Sequence, residues 1–304
     1  MKNKPLVSVS MITYNHESFI KEAIEGVLMQ ETNFDYELVI ADDCSPDNTQ
    51  EIVNEFILNH PKGNVIRYFR HSKNIGMSAN GIFATKECKG DYIAVCEGDD
   101  YWVDSYKLQK QVDFLENNNE YVIHSGSANI IRDNILTDEI IGAHDFMPRT
   151  FLLKDFYHQN NLVTCTVLFR NILNQNDLNF FNNVIFVDWY LYVLLLNKSK
   201  KKAYRSKDIL SVYRIHDKGV HGGMSLLVNY NTYINQILII KETIKYKGTS
   251  KLVLDSLNFY CFEKFKILYN EKQYISSLKT FVYNFYLSGF KMSLKKYFKV
   301  FFKL

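Results

Sequence analysis

Residues 6–30 read LVSVSMITYNHESFIKEAIEGVLMQ. Leu6 to Thr13 is small or apolar and rich in β-branched side chains, then turns polar at Tyr14 and Asn15, the pattern of a buried strand that surfaces in a turn. In the second half Phe19, Ile20, Ala23, Ile24, Val27 and Leu28 recur at helical spacing, which predicts an amphipathic helix. A strand feeding directly into a helix is one half of a βαβ unit.

The unit repeats. YELVIADDCS (36–45) reads as a second strand, apolar until Asp42, and SPDNTQEIVNEFILNH (45–60) opens with a helix-start signal. NVIRYFRHS (64–72) predicts a third strand, IGMSANGIFATKEC (75–88) a third helix and DYIAVCE (91–97) a fourth strand. This alternation predicts an α/β fold, a mostly parallel sheet flanked by helices on both faces. VDSYKLQKQVDFLENN (103–118) continues as a helix, YVIHSGSANII (121–131) and LVTCTVLFR (162–170) as strands, and VIFVDWYLYVLLLNKSK (184–200) as a turn into an apolar helix. From about Leu226 the character shifts to helices heavy in Tyr, Phe, Ile and Lys. The expected division is a catalytic-type domain over 1–225 and a helical C-terminal appendage over 226–304.

With 47% hydrophobic and 23% charged residues the 304-residue chain has ordinary globular composition, and a formal net charge of +3 gives no argument for nucleic acid. Cys44, Cys88, Cys96, Cys165 and Cys261 are scattered and form no CxxC pair, as expected of reduced thiols in a cytoplasmic protein. MKNKPLVSVSMITYNHE has no stretch suited to a signal peptide, and no run approaches the roughly 20 apolar residues of a spanning helix. The expected location is therefore cytoplasmic.

Ligands of such sheets bind outside the carboxyl ends of the strands, which is where the polar residues fall. Thr13, Tyr14 and Asn15 follow the first strand, Asp42 and Asp43 the second, His71 to Asn74 the third, and Glu97, Gly98, Asp99 and Asp100 the fourth. GxGxxG after the first strand, GxxxxGK[ST], GxSxG and HExxH are all missing, which removes the dinucleotide, P-loop, α/β-hydrolase and zincin readings. What remains is an acidic cleft. Carboxylates two residues apart at a strand end, with Gly98 between them, suit Mg2+ or Mn2+ bridging protein and diphosphate. Asp100 reads equally as a cap of the helix that follows.

VSVSMITYNHESFIKEAIEGVLMQ, YELVIADDCSPDNT, KNIGMSANG and GDYIAVCEGDDYW together resemble, in order and spacing over residues 5 to 225, the family 2 glycosyltransferases of the GT-A fold. The resemblance implies inverting transfer of a sugar from a nucleoside-diphosphate donor, a UDP-sugar, to a glycan or lipid-linked acceptor in surface polysaccharide or glycolipid assembly. It divides the first domain into a nucleotide-sugar half (about 1–105) and an acceptor half (about 106–225). It places Thr13, Tyr14, Asn15, Asn74, Gly76 and Asn80 at the nucleotide sugar, Asp43 on the base, and Asp42 in a structural role. Glu97, Gly98 and Asp99 fall on the DxD metal motif, with Asp99 as the ligand of Mn2+ or Mg2+ and Glu97 nearer the ribose or donor sugar. Asp188 of FVDWYLY falls on the catalytic base, and Arg214 and His216 of SVYRIHDKGVHGG on a late loop that reaches diphosphate or metal. Two positions depart from the family pattern: Glu97 replaces the first Asp of DxD, and Val187 stands where Glu is frequent. These departures motivate an alternative from another class, a non-catalytic nucleotide-sugar or carbohydrate-binding module.

The last segment carries Lys279, Lys291, Lys295, Lys296, Lys299 and Lys303 without an acid, beside a stripe of Phe290, Leu294, Tyr297, Phe298, Phe301 and Phe302. A basic amphipathic helix with aromatics predicts peripheral contact with the inner face of the membrane. Packing on the catalytic domain or on a second copy in an oligomer is the equal alternative.

Overall fold

The computed structural model describes residues 4–142, 147–174, 176–177, 184–216, 225–243, 249–288 and 294–301. It forms two compact units, one of Met1–Leu152 with Asn161–His216 and one of Leu153–Asn160 with Asp217–Leu304.

In the first unit β1 (Val7–Thr13), α1 (Ile20–Leu28), β2 (Tyr36–Asp42), α2 (Thr49–Asn59), β3 (Ile66–Arg70), α3 (Met77–Glu87) and β4 (Tyr92–Val95) alternate as the hydrophobic periodicity predicts. β1 lies between β2 and β4, and β2 between β1 and β3, all parallel. The register sets Thr13 beside Asp42 and Asp42 beside Arg70, so the polar ends of three strands share one edge. Behind them the alternate side chains Val7, Val9 and Met11 of β1 and Leu38 and Ile40 of β2 pack with Ile24 and Val27 of α1 in one buried cluster. Gly26 brings α1 close to the backbone after β4: a Cβ there would lie 2.8 Å from the Trp102 nitrogen.

After β4 the sheet changes character. β5 (Tyr101–Trp102) and α4 (Lys107–Asn117) lead into the long β6 (Tyr121–Arg132), followed by β7 (Ile135–Ile141), β8 (Arg149–Phe151) and β9 (Leu168–Arg170). α5 (Val187–Ser199) then precedes β10 (Lys202–Ile215). The order is β3-β2-β1-β4-β9-β6-β10-β5, with β7 on β6 and β8 on β10. β9 runs antiparallel to both β4 and β6, whereas β10 is parallel to β6 and antiparallel to β5. The sheet is thus a parallel half joined through β9 to a mixed half. β5 follows Asp100 directly and pairs with Ser211 and Val212, which fixes the acidic turn against the end of β10.

The second unit contains α6 (Leu226–Thr243), α7 (Thr249–Asn270), α8 (Tyr274–Ser288) and α9 (Leu294–Phe301). Tyr297 of α9 is buried among Phe262, Phe265 and Phe281, while Phe298 is exposed. The ring of Tyr297 therefore belongs to the core of this unit and not to an outward stripe. Phe290 and Phe302 of the predicted stripe lie outside the described residues. Tyr260 stacks on His158 and donates its hydroxyl to the His158 carbonyl at 2.8 Å, which ties Leu153–Asn160 to α7. Among the described residues no helix is long and apolar enough to cross a membrane.

Candidate active site

The site is built at the ends of β1, β2, β4 and β10. Asn15 takes a left-handed backbone (φ 59°) and turns the chain out of β1. The turn is stitched to the loop after β2: the Asn15 N–H donates to Ser45 Oγ at 3.0 Å, and the His16 N–H to Thr49 Oγ1 at 3.1 Å. Asp42 is buried, accepting the Ser45 N–H at 2.8 Å and the Tyr68 hydroxyl at 2.5 Å.

Asp43 accepts the backbone N–H groups of Ile75 at 2.7 Å and Gly76 at 2.9 Å. It thereby anchors the loop before α3, where Asn74 Oδ1 also accepts the Gly76 N–H at 3.0 Å. Gly76 has φ +89° with open space around it, so its backbone conformation is what calls for glycine there. Asn80 is buried, donating to the Ala41 carbonyl at 2.8 Å and facing His71 Nε2 at 3.0 Å, a bridge between β2, the loop and α3. Tyr14 is exposed at the rim, and the Thr13 hydroxyl is buried with no hydrogen-bond partner.

Glu97, Gly98, Asp99 and Asp100 follow β4. A Cβ on Gly98 would lie 2.9 Å from Thr13 Oγ1 and 3.0 Å from His16 Nδ1, so glycine lets the end of β1 meet the acidic turn. Asp99 Oδ2 lies 3.1 Å from His216 Nε2 and 3.9 Å from His16 Nε2. Burial opposes ionisation of Asp99, but the His216 hydrogen bond and the His16 charge outweigh it and hold the carboxyl below its usual range. Burial pushes Glu97 the other way, to about 8, with Asp99 and then Asp188 adding like charge. One Glu97 oxygen, Oε2, is buried with no hydrogen-bond partner. Asp100 is buried and accepts the Arg214 N–H at 2.8 Å, while the next helix starts only at Lys107. Its carboxylate therefore secures β10 and does not cap α4.

Arg214 is spent on the protein. Its Nε donates to the Asp99 carbonyl at 2.9 Å, its terminal nitrogen to Glu22 at 2.5 Å, and its guanidinium lies 4.7 Å from the Phe19 ring centroid. Phe19 also contacts the His216 ring, with centroids 5.1 Å apart. Asp188 stands in the first turn of α5, accepting the Thr164 hydroxyl at 2.6 Å and the Trp189 N–H at 2.7 Å. His221 and the glycines beside it lie outside the described residues.

The structure brings Thr13, Gly98, Asp99, Arg214 and His216 together, with Glu97 close to Asp188 through their shared electrostatic influence. It adds His16, Phe19, Glu22 and Thr164, which motif reading passed over. His16 had a signal, as it directly follows TYN. The donor set suits a divalent cation: one low-pKa carboxylate, a hydrogen-bonded imidazole, a second imidazole near by and a buried carboxylate oxygen lacking a partner. Among the described residues no three His, Cys, Asp or Glu side chains are arranged to hold an ion by themselves.

The mixed α/β sheet flanked by helices is a GT-A type of fold. The family model described as "Glycosyl transferase family 2" matches residues 8–176, and the chain belongs to that family. It is 32% identical over 218 residues to the protein Rv1520 of Mycobacterium tuberculosis, covering 70% of this chain and 60% of that one. The chain thus spans about 60% of the length of its mycobacterial relatives. It is 28% identical over 217 residues to the Escherichia coli UDP-Glc:alpha-D-GlcNAc-diphosphoundecaprenol beta-1,3-glucosyltransferase WfgD, covering 71% of this chain and 79% of that enzyme. Among solved structures, S. aureus TarS 1-349 in complex with UDP-GlcNAc superposes with TM-score 0.66 at 18% identity, covering 90% of this chain and 79% of TarS. The Pyrobaculum calidifontis mannosyltransferase PcManGT in complex with GDP-Man and Mn2+ superposes with TM-score 0.61 at 14% identity, covering 97% and 78%. At these identities the structural likeness concerns the fold.

Proposed function

We propose that this chain is an inverting glycosyltransferase that moves a sugar from a UDP-sugar to a hydroxyl of a glycan or lipid-linked acceptor in surface polysaccharide or glycolipid assembly. The observation that carries the reading is the convergence of Asp99 and His216 beside Glu97, with Asp188 held near by on α5. The activity of WfgD and the donors bound by TarS and PcManGT support a nucleotide sugar as donor, the first two of them a UDP-sugar.

The loops after β1, β2 and β3 carry the nucleotide, with Thr13, Tyr14, Asn15, Asn74 and Gly76 lining it and Asn80 fixing the loop. Asp43 holds that loop through two amides and keeps lone pairs free for a base N–H. Asp99, with His216, His16 and Glu97 around it, would hold Mn2+ or Mg2+, which when bound supplies Lewis-acid neutralisation of the departing diphosphate. Arg214 acts as a positioning residue that fixes the Asp99 backbone. Thr164 and the Trp189 N–H orient Asp188 to take the proton of the acceptor hydroxyl while its oxygen attacks the anomeric carbon. The bond from that carbon to the diphosphate breaks as the new glycosidic bond forms, with the electron pair leaving on the phosphate oxygen. Peripheral contact with the inner membrane face, where lipid-linked acceptors are held, is the reading supported by the lysine-rich, acid-free segment 272–304.

UDP release from a panel of UDP-sugars with Mn2+ and candidate acceptors tests the reading, with the product anomer read by NMR. Turnover with inversion is expected. Tight donor binding without turnover of any donor would support the non-catalytic binding module instead.

A further inference from the structure

We infer that the outward face of α8 is a docking surface for an anionic lipid bilayer. This deepens the membrane contact proposed above and rests on that reading.

The helix packs Phe281 inward against Tyr297 yet leaves a second apolar face outward. Ser277, Thr280 and Asn284 are buried, whereas Ile275 is 75%, Leu278 52%, Val282 56% and Tyr286 83% exposed. At 3.6 residues per turn these four side chains fall within an arc of about 80°. A helix that faced only water would turn the opposite way, apolar side inward. Ser277 and Thr280 satisfy their hydroxyls on carbonyls of their own helix, Tyr274 at 2.8 Å and Ser276 at 3.0 Å, whereas Asn284 Nδ2 fixes the orientation by donating to the Tyr297 hydroxyl of α9 at 2.7 Å. Rotating the helix to hide the apolar face would break the Asn284 bond to α9 and withdraw Phe281 from the Tyr297 ring.

Charge identifies the occupant. Residues 272–304 contain seven lysines, Lys272, Lys279, Lys291, Lys295, Lys296, Lys299 and Lys303, and no Asp or Glu. Of these, Lys279 is exposed on α8 itself, and a two-fold contact of this face with a second copy would bring that ammonium toward its own counterpart. An anionic bilayer offers the complementary charge together with apolar depth for Ile275, Leu278 and Val282, and Tyr286 suits the interface between them. Beside this arc a cleft lined by Asn231, Asn235, Lys264, Ser276, Lys279 and Thr280 combines two ammonium groups with hydroxyls and amides, donors suited to a lipid phosphate.

The test is flotation of the full chain with vesicles of phosphatidylcholine alone or with about 30% phosphatidylglycerol. Binding only to the anionic vesicles is expected, weakening as salt rises from about 0.1 to about 0.5 M. The variant Leu278→Gln/Val282→Gln/Tyr286→Ser should bind at least about tenfold more weakly with an unchanged thermal midpoint. If that variant unfolds, Lys279→Glu/Lys296→Glu/Lys299→Glu should lose the response to phosphatidylglycerol. Wild-type vesicle binding in the folded triple variant, or a dimer that it dissociates while vesicle binding persists, overturns the inference. UDP release measured on the same preparations keeps the readings apart: turnover without vesicle binding removes only the docking surface, and vesicle binding without turnover removes only the transferase.

Discussion

Oδ2 of Asp99 lies 3.1 Å from Nε2 of His216, although 117 residues separate them in sequence. The contact joins the turn after β4 to the end of β10, and the backbone around it is doubly fixed, since Arg214 gives its N–H to Asp100 and its Nε to the Asp99 carbonyl. His216→Ala should therefore weaken Mn2+ binding in the presence of UDP by about 10- to 100-fold by calorimetry. Asp99→Asn should lower turnover by about 10²- to 10³-fold. Unchanged Mn2+ affinity in both variants would remove the pair from the metal site.

Asp188 is oriented by the Thr164 hydroxyl and the Trp189 N–H. Asp188→Asn keeps the shape but cannot take a proton, so kcat should fall by about 10²- to 10⁴-fold while donor affinity stays near wild type. Thr164→Val should reduce kcat less, since it removes one orienting bond and leaves the carboxylate. A donor Kd that rises in step with the loss of kcat would show that Asp188 binds donor and is not the base.

Much of the fold was legible because it rests on local periodicity. The alternation from Val7 to Val95 is written in patterns that each span a dozen residues or so, and the structure follows them. The antiparallel entry of β9 between β4 and β6 was not legible, because pairing between remote strands leaves no local signature. Asp100 shows the same limit: before a predicted helix it looks like a cap, yet its partner is the Arg214 N–H, 114 residues away. Ile275, Leu278 and Val282 share an exposed face of α8, which no motif marks, because spacing states which residues share a face and not which face is covered. The acidic turn was conspicuous in the sequence, whereas Glu22 and Thr164 gain their meaning only from neighbours brought in by the sheet.

Gly98 carries no side chain where one would meet Thr13 Oγ1 at 2.9 Å and His16 Nδ1 at 3.0 Å. Gly98→Ala must displace one or both, which should cost about 1–3 kcal/mol. The strain falls on groups beside Asp99, so the gain in thermal midpoint on adding Mn2+ and UDP should shrink as well. A variant with wild-type melting and a wild-type ligand shift would mean that the turn relaxes freely.

Lys107 is fully buried beneath the site, its Nζ 3.9 Å from the Trp102 ring centroid and 2.8 Å from Gln111 Oε1. Burial lowers its pKa to about 7, against roughly 10.4 in an unfolded chain. Below pH 7 both states carry the proton, and the native state bears the full cost of a buried cation. Between pH 7 and about 10.4 the unfolded state binds one more proton, so stability rises with pH by up to about 1.4 kcal/mol per unit. The buried thiols of Cys88, Cys96 and Cys165, whose pKa values burial raises, act in the opposite sense above about pH 8.5. Glu97, raised to about 8, and the buried Asp100, also raised, keep protons in the fold that the unfolded chain has lost, so both lower stability as pH rises from 7 to 8.5, and Lys107 is read there as a difference between variants. His124, lowered to about 3 by burial and by Lys107, acts only in acid. Urea unfolding from pH 7 to 8.5 should give wild type a stability slope more positive than that of Lys107→Met by up to about 1.4 kcal/mol per unit. Equal slopes in the two proteins would mean that Lys107 keeps its proton in the fold, held by Gln111 and the Trp102 ring.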